Sequence, residues 1–341
     1  SLVGVSLSAG GSESGDVHIY DVETGGALAD VIPRVNGGTA GGDLAWAPDG
    51  RGFYYTRYPR PGERPVEDLD FFQQVFYHEL GVPGAADRYV LGRDLPRIAE
   101  IKLAMDNRSG RLLVTVQDGD SGRFSHYLVE PADGAVKQVS AFEDGVVEAA
   151  WGHDDDLYLI SRREAPRGRI LHLSPADAPL DKAKALIPEG PETIISSFGS
   201  SLLAVAASRL YLTYQLGGPS EVRAFALDGT PQGQPAAPPL SNVPQIAPLD
   251  GDVLLFLRAS YLEPPAWYRY DPAGGETRKT ALVSTSPVDF SDAEVVREFA
   301  VSRDGTKVPV DIIRPKNLAL GGTSASVLYG YGGYGVSLSP G

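Results

Sequence analysis

The 341 residues, 42% apolar and 22% charged, have the composition of an ordinary globular protein and the length of two domains or one large all-β domain. No stretch approaches the roughly 18–20 apolar residues that a membrane-spanning helix needs, and a net charge of −14 disfavours binding to nucleic acid or anionic membranes. With no cysteine, the segment has no disulfides, no thiol catalysis and no cysteine-ligated zinc.

The first strand expected is Asp16–Val22, whose own predecessor is mostly lost. After it, apolar runs come in pairs. Arg51–Arg57 precedes Gln74–Leu80, and Pro65–Gln74 between them is a candidate short helix. Arg111–Val116 precedes Phe124–Val129, and Asp156–Ser161 precedes Arg169–Leu173. Arg209–Tyr214 precedes Glu221–Leu227, and Asp252–Leu257 precedes Ala266–Tyr270. All are β-branched, aromatic and leucine runs of strand length. With Val17, Val75, His126, Ile170, Val222 and Tyr268 as markers, the steps are 58, 51, 44, 52 and 46 residues. That is about one four-stranded propeller blade per step.

The turns agree with this reading. Asp49-Gly50, Asp118-Gly119, Asp133-Gly134, Asp228-Gly229 and Asp250-Gly251 fall between strands, and Asp-Gly accepts the positive φ of tight hairpins. A mainly β fold follows, a propeller of about six blades with the first incomplete. A β-sandwich is the alternative, but it should not show five comparable steps. Open blades would leave strand edges exposed, so a further blade is expected from residues before Ser1 or from another chain. The start at Ser1, without a signal peptide, fits a fragment.

From about Val295 the pattern changes. Glu298–Ile313 reads as a hairpin turning at Asp304-Gly305, and a polar linker, Arg314–Ser324, follows it. Next come Ala325–Tyr329, read as a buried-type strand, and the glycine- and tyrosine-rich loop Gly330–Gly335. Glycines directly after a strand let the backbone turn sharply and approach a ligand closely.

The run Asp304–Pro309, then about twenty residues later Leu328-Tyr-Gly-Tyr-Gly-Gly-Tyr334, resembles the start of the catalytic domain in the prolyl oligopeptidase family. Upstream, Gly52–Pro59, Gln74–His78 and Ser161–Pro166 resemble segments of that family's propeller. The resemblance covers essentially the whole chain in order. It implies a seven-bladed-type propeller over residues 1–294, N-terminally incomplete, and the first strands of an α/β-hydrolase domain over residues 295–341. The implied activity is a serine-type oligopeptidase that cleaves short peptides after proline, with the propeller capping the active site.

The resemblance also implies roles for particular residues. Tyr331 matches the tyrosine whose hydroxyl helps bind the oxyanion, and Tyr334 a position lining the pocket for the proline ring. Tyr54 stands where the family has an aromatic at the pocket rim, the alternative being a blade-core tyrosine. Arg163 stands where an arginine faces the bound peptide, the alternative being a solvated side chain. The implied partners are short proline-containing peptides and the remainder of the same polypeptide. Neither nucleic acid nor membrane is expected, no cofactor is implied, and the compartment is cytoplasmic, with the periplasm as alternative.

The loop ends Gly333-Tyr334-Gly335 where the family usually has Gly-Gly-Phe-Asn, and the related oligopeptidase B branch also carries Tyr-Gly. Cleavage after Arg or Lys therefore stays open, and a non-catalytic propeller scaffold is the rival from another class. The chain has no Gly-x-Ser-x-Gly elbow. The Ser-Asp-His triad is expected beyond this segment, which alone should be inactive; turnover of a proline-containing chromogenic peptide by the isolated chain would contradict that. Among the histidines, His18, His78, His126 and His172 fall in expected strands and His153 precedes an acidic turn. All five read as structural. His153–Asp156 lacks the spacing of a calcium loop, so no metal site is expected.

Overall fold

The computed structural model describes residues 1–8, 10, 15–36, 41–333 and 336–341. The chain divides into two compact units, Ser1–Arg163 with Leu171–Lys184, and Glu164–Ile170 with Ala185–Gly341.

Among the described residues, six sheets of three to five strands follow one another along the sequence. The first holds β1 (Leu2–Ser8), β2 (Gly15–Asp21) and β3 (Ala27–Asn36). The second holds β4 (Leu44–Trp46), β5 (Gly52–Arg57), β6 (Gln74–Glu79) and β7 (Arg88–Leu91). The third holds β8 (Ala99–Met105), β9 (Leu112–Asp118), β10 (Phe124–Val129) and β11 (Val136–Ser140). The fourth holds β12 (Val146–Trp151), β13 (Leu157–Ser161), β14 (Arg169–Leu173) and β15 (Lys184–Ile187). The fifth has five strands: β16 (Thr193–Ile194), β17 (Leu203–Val205), β18 (Arg209–Gln215), β19 (Ser220–Ala226) and β20 (Pro231–Gln232). The sixth holds β21 (Ser241–Pro248), β22 (Leu254–Ser260), β23 (Ala266–Asp271) and β24 (Glu276–Val283). A separate hairpin, β25 (Ala293–Val301) with β26 (Lys307–Pro315), comes last.

The paired apolar runs of the sequence are the two central strands of these sheets. β5 pairs with β6, β9 with β10, β18 with β19 and β22 with β23, all antiparallel, and β13 neighbours β14. Packing explains why they read as unbroken hydrophobic runs. On β5, Phe53 and Tyr55 point into a core shared with Val17, Ile19 and Ile32 of the first sheet. Between them Tyr54 points the other way, into a core shared with Ile101, Leu112 and Val114 of the third. On β9, Leu113 in turn faces Leu157, Leu159 and Leu171 of the fourth. Within the second unit, Tyr211 and Val222 of the fifth sheet pack on Ile246, Leu254 and Phe256 of the sixth. A central strand is thus buried on both faces, so the usual in–out alternation is lost. Within the first unit the second sheet packs on the first and the third, and the third on the fourth; within the second unit the fifth packs on the sixth, with no single opposing layer as in a sandwich.

The Asp-Gly turns form as expected. Gly50, Gly119, Gly134, Gly229 and Gly251 all have positive φ, between 49° and 87°. At three of them the preceding carboxylate accepts the amide two residues on (Asp49 from Arg51, Asp133 from Ala135, Asp228 from Thr230), at 2.9–3.0 Å, so each turn carries its own clamp.

Three expectations need correction. The predecessor of Asp16–Val22 is not lost, because β1 pairs with β2 over seven residues; its exposed Val3 and Leu7 give a weak apolar signal. The helical candidate at Pro65–Gln74 shrinks to one 3-10 turn, Val66–Asp68. Ala325–Tyr329 is not a strand: it pairs with nothing among the described residues, and Val327 and Leu328 are 96% and 91% exposed. An apolar run forms a buried strand only where neighbouring strands flank it.

Candidate functional site

The β25–β26 hairpin precedes the segment that carries Tyr331. The Arg297 guanidinium forks onto the Asp311 carboxylate, Nε to Oδ1 at 2.6 Å and Nη2 to Oδ2 at 2.8 Å. The Tyr261 hydroxyl, from the turn after β22, donates to the same Oδ2 at 2.9 Å. The Arg297 bonds hold the Asp311 carboxyl below the ordinary carboxylate range. Burial and the bond to Asp311 push the Tyr261 phenol up to about 12. At the end of β26, Lys316 Nζ donates to the Ser291 carbonyl at 2.7 Å. Beside this base lies a cavity of about 580 Å³, lined by Leu262, Pro264, Pro287, Phe290 and Lys316 among others. Tyr331 is not one of its walls.

Past Lys316 the chain leaves the hairpin. Tyr331 is 59% exposed, its ring lying over its own loop. A Cβ at Gly333 would stand 3.3 Å from the Tyr331 ring, and Gly332 has φ +91°, so the glycines let the loop fold back beneath the phenol. The hydroxyl is therefore carried on a tight, solvent-facing turn. Tyr334, the expected wall of the proline pocket, lies outside the described residues.

Two further candidates lie in the first unit. Arg163, just after β13, is held at its head by Asp144, Nη1 to Oδ1 at 3.3 Å, with a side chain 60% exposed. Gly145 has φ +68°, and a Cβ there would stand 3.0 Å from the Arg163 amide nitrogen, so the glycine lets the two segments approach closely. The guanidinium keeps donors free on its solvent side, as binding a peptide carbonyl requires. Tyr54 is 6% exposed and stacks edge-on against Tyr77 at 5.0 Å within the core between the second and third sheets. That is the placement of a blade-core tyrosine. Arg163 and Tyr54 belong to different sheets, and Tyr331 belongs to the second unit.

The fold also assembles a group that the sequence reading divided. Asp154 and Asp156 belong to the turn before β13, His172 to β14, and their potential ligand atoms all lie within 4.8 Å of one another. Read along the chain, the aspartates were an acidic turn and the histidine a strand residue. The signal that could have joined them is the hairpin pairing of β13 with β14.

Residues 1–282 match the family described as prolyl oligopeptidase, N-terminal beta-propeller domain. The prolyl endopeptidase of Elizabethkingia meningoseptica is 25% identical over 345 residues, covering 99% of this chain and 46% of that protein. The prolyl oligopeptidase A of Galerina marginata is 23% identical, covering 87% of this chain and 41% of the relative. Among solved structures, a prolyl endopeptidase superposes with a TM-score of 0.79 at 25% identity, over 93% of this chain and 46% of the other. Oligopeptidase B of Trypanosoma brucei shares the fold, with a TM-score of 0.79 at 21% identity. The chain spans about half the length of the curated relatives it matches. Its repeated sheets, their packing and the family match agree, and the chain belongs to the prolyl oligopeptidase family, with residues 1–282 as its N-terminal β-propeller domain.

Proposed function

We propose that the whole protein is a serine-type oligopeptidase that cleaves short peptides after proline, its propeller gating access to the active site. In this reading residues 295–341 open the α/β-hydrolase domain, and the Ser-Asp-His triad lies outside these 341 residues. The observation that carries it is the similarity to a prolyl endopeptidase across 99% of the chain, hairpin and Tyr331 loop included. Tyr331 supplies the chemistry available here. As a serine oxygen adds to the scissile carbonyl, the carbonyl oxygen gains negative charge. A phenol O–H already aimed there stabilises that charge more than it stabilises the ground state. The exposed, glycine-backed placement of the ring supports this role. Arg163, anchored by Asp144 and open on its other side, is assigned to a carbonyl of the bound peptide.

Cleavage after a basic residue is the second reading, favoured by the Tyr334-Gly335 ending of the loop. Assay of the full-length protein on matched chromogenic peptides with Pro or Arg before the scissile bond separates the two. The proposal expects kcat/KM to favour Pro by about a hundredfold or more. Equal rates, or a preference for Arg, would overturn it.

A further inference from the structure

We infer that Asp154, Asp156 and His172 form a binding site for one divalent cation of the zinc class. The three residues come from two places in the sequence. Asp154 and Asp156 stand two apart in the turn between β12 and β13, where Asp155 adopts φ +64°. His172 lies on β14. Its Nε2 is 2.9 Å from Asp156 Oδ2 and 3.8 Å from Asp154 Oδ2.

Short as these approaches are, the imidazole makes no hydrogen bond with either carboxylate. Nε2 is shielded from solvent and has no hydrogen-bond partner, so the carboxylate oxygens lie off the direction in which a ring N–H would point. A proton on Nε2 bridges one acceptor in line, whereas a metal ion joins several donors at wide angles. At bond lengths of about 2.1 Å to nitrogen and oxygen, one ion spans donor pairs up to about 4.2 Å apart. Both distances from Nε2 fall inside that span.

The surroundings are arranged around the group. Asp155 faces away and pairs with Arg108 at 3.3 Å. Among the described residues no lysine or arginine pairs with Asp154 or Asp156. The Tyr158 hydroxyl donates to Asp154 Oδ2 at 3.2 Å, and its ring packs 4.9 Å from the imidazole, fixing both ligands from behind. Such outer contacts orient the donors of a metal site. Gly152 is needed for the turn to close, since a Cβ there would stand 2.4 Å from Asp154 Oδ1 and 2.6 Å from the Tyr158 ring. One imidazole and two carboxylates suit zinc and neighbouring first-row ions, with water completing the shell, whereas calcium prefers an all-oxygen set. The bound ion would tie the β12–β13 turn to β14.

The test is calorimetric titration of the full chain with Zn²⁺, and separately with Ca²⁺, alongside the Asp156→Asn, His172→Gln and His153→Ala variants. The inference expects one saturable Zn²⁺ site, weakened about tenfold or more in Asp156→Asn and His172→Gln and unchanged in His153→Ala. Absence of saturable Zn²⁺ binding would overturn it, as would binding that survives both ligand substitutions or is lost with His153. So would a Ca²⁺ site indifferent to His172. Should the variants fail to fold, Mn²⁺ titration of the unsubstituted chain, labelled at histidine, still decides. Broadening of the His172 ring signals, with those of His18, His78 and His126 left sharp, supports the site; an unaffected His172 signal rules it out.

Discussion

His126 shows how a single buried side chain sets the pH response of this fold. It is wholly buried on β10, with Nδ1 2.8 Å from Ser140 Oγ and Nε2 unpartnered. A charged imidazole has nothing at Nε2 to replace its water, so burial lowers its pKa to about 4. In the unfolded chain the same ring titrates near 6.5. Between these values the unfolded state binds a proton that the folded state refuses. Stability contributed by the neutral ring is therefore full above about pH 6.5 and falls as pH drops toward 4. At about 1.36 kcal/mol per unit, the loss is about 3 kcal/mol. Urea unfolding at pH 7 and pH 4.5 should show this loss, and His126→Gln should remove most of that difference while lowering stability at pH 7. An equal pH slope in both chains would refute the assignment. The sequence placed His126 in a strand but gave no sign of its missing partner, because a neighbour such as Ser140 is supplied by the adjacent strand. The Asp154, Asp156 and His172 group was illegible for the same reason. Tyr331 could be singled out because its signal, tyrosine among glycines after an apolar run, is local.

Elements are joined here by charge as well as by apolar packing. His78 on β6 is 1% exposed and stands between two carboxylates, Asp87 at 2.7 Å from Nδ1 and Asp30 of β3 at 3.2 Å from Nε2. The Tyr55 hydroxyl also donates to Asp87, at 2.6 Å. Against the burial that raises it, the Gly81 amide and His78 hold the Asp30 carboxyl below its ordinary value. This chain of bonds fastens the first sheet to the second. His78→Leu would leave two nearly buried carboxylates facing an apolar side chain, and is expected to cost about 3–5 kcal/mol. Chemical unfolding measures the loss; a change under 1 kcal/mol would show the bridge to be dispensable. The same scale explains which strands the sequence could reveal. β5 and β9 touch cores on both sides, and their hydrophobic runs are unmistakable. Outer strands such as β4, β16 and β20 are two or three residues long, held by pairing more than by side-chain burial, and they leave little periodic trace. Ala325–Tyr329 failed in the opposite direction. Its composition suits a buried strand, but composition supplies no neighbours.

For the whole molecule, the steps of 44–58 residues, the succession of sheets along the chain and the family match tell one story, a propeller leading into a hairpin and a tyrosine loop. The repeat was legible because the central strands of successive sheets are apolar runs that recur at a comparable step. The proposed function rests on the resemblance of the propeller segments and the loop, since many unrelated activities share propellers. The account therefore stands or falls on Tyr331. The most direct measurement is steady-state hydrolysis of a proline-containing chromogenic peptide by the full-length protein and its Tyr331→Phe variant. If the phenol serves the oxyanion, kcat should fall about a hundred- to a thousandfold with KM little changed, because the lost hydrogen bond acts in the transition state. An unchanged kcat in a folded variant would contradict the account.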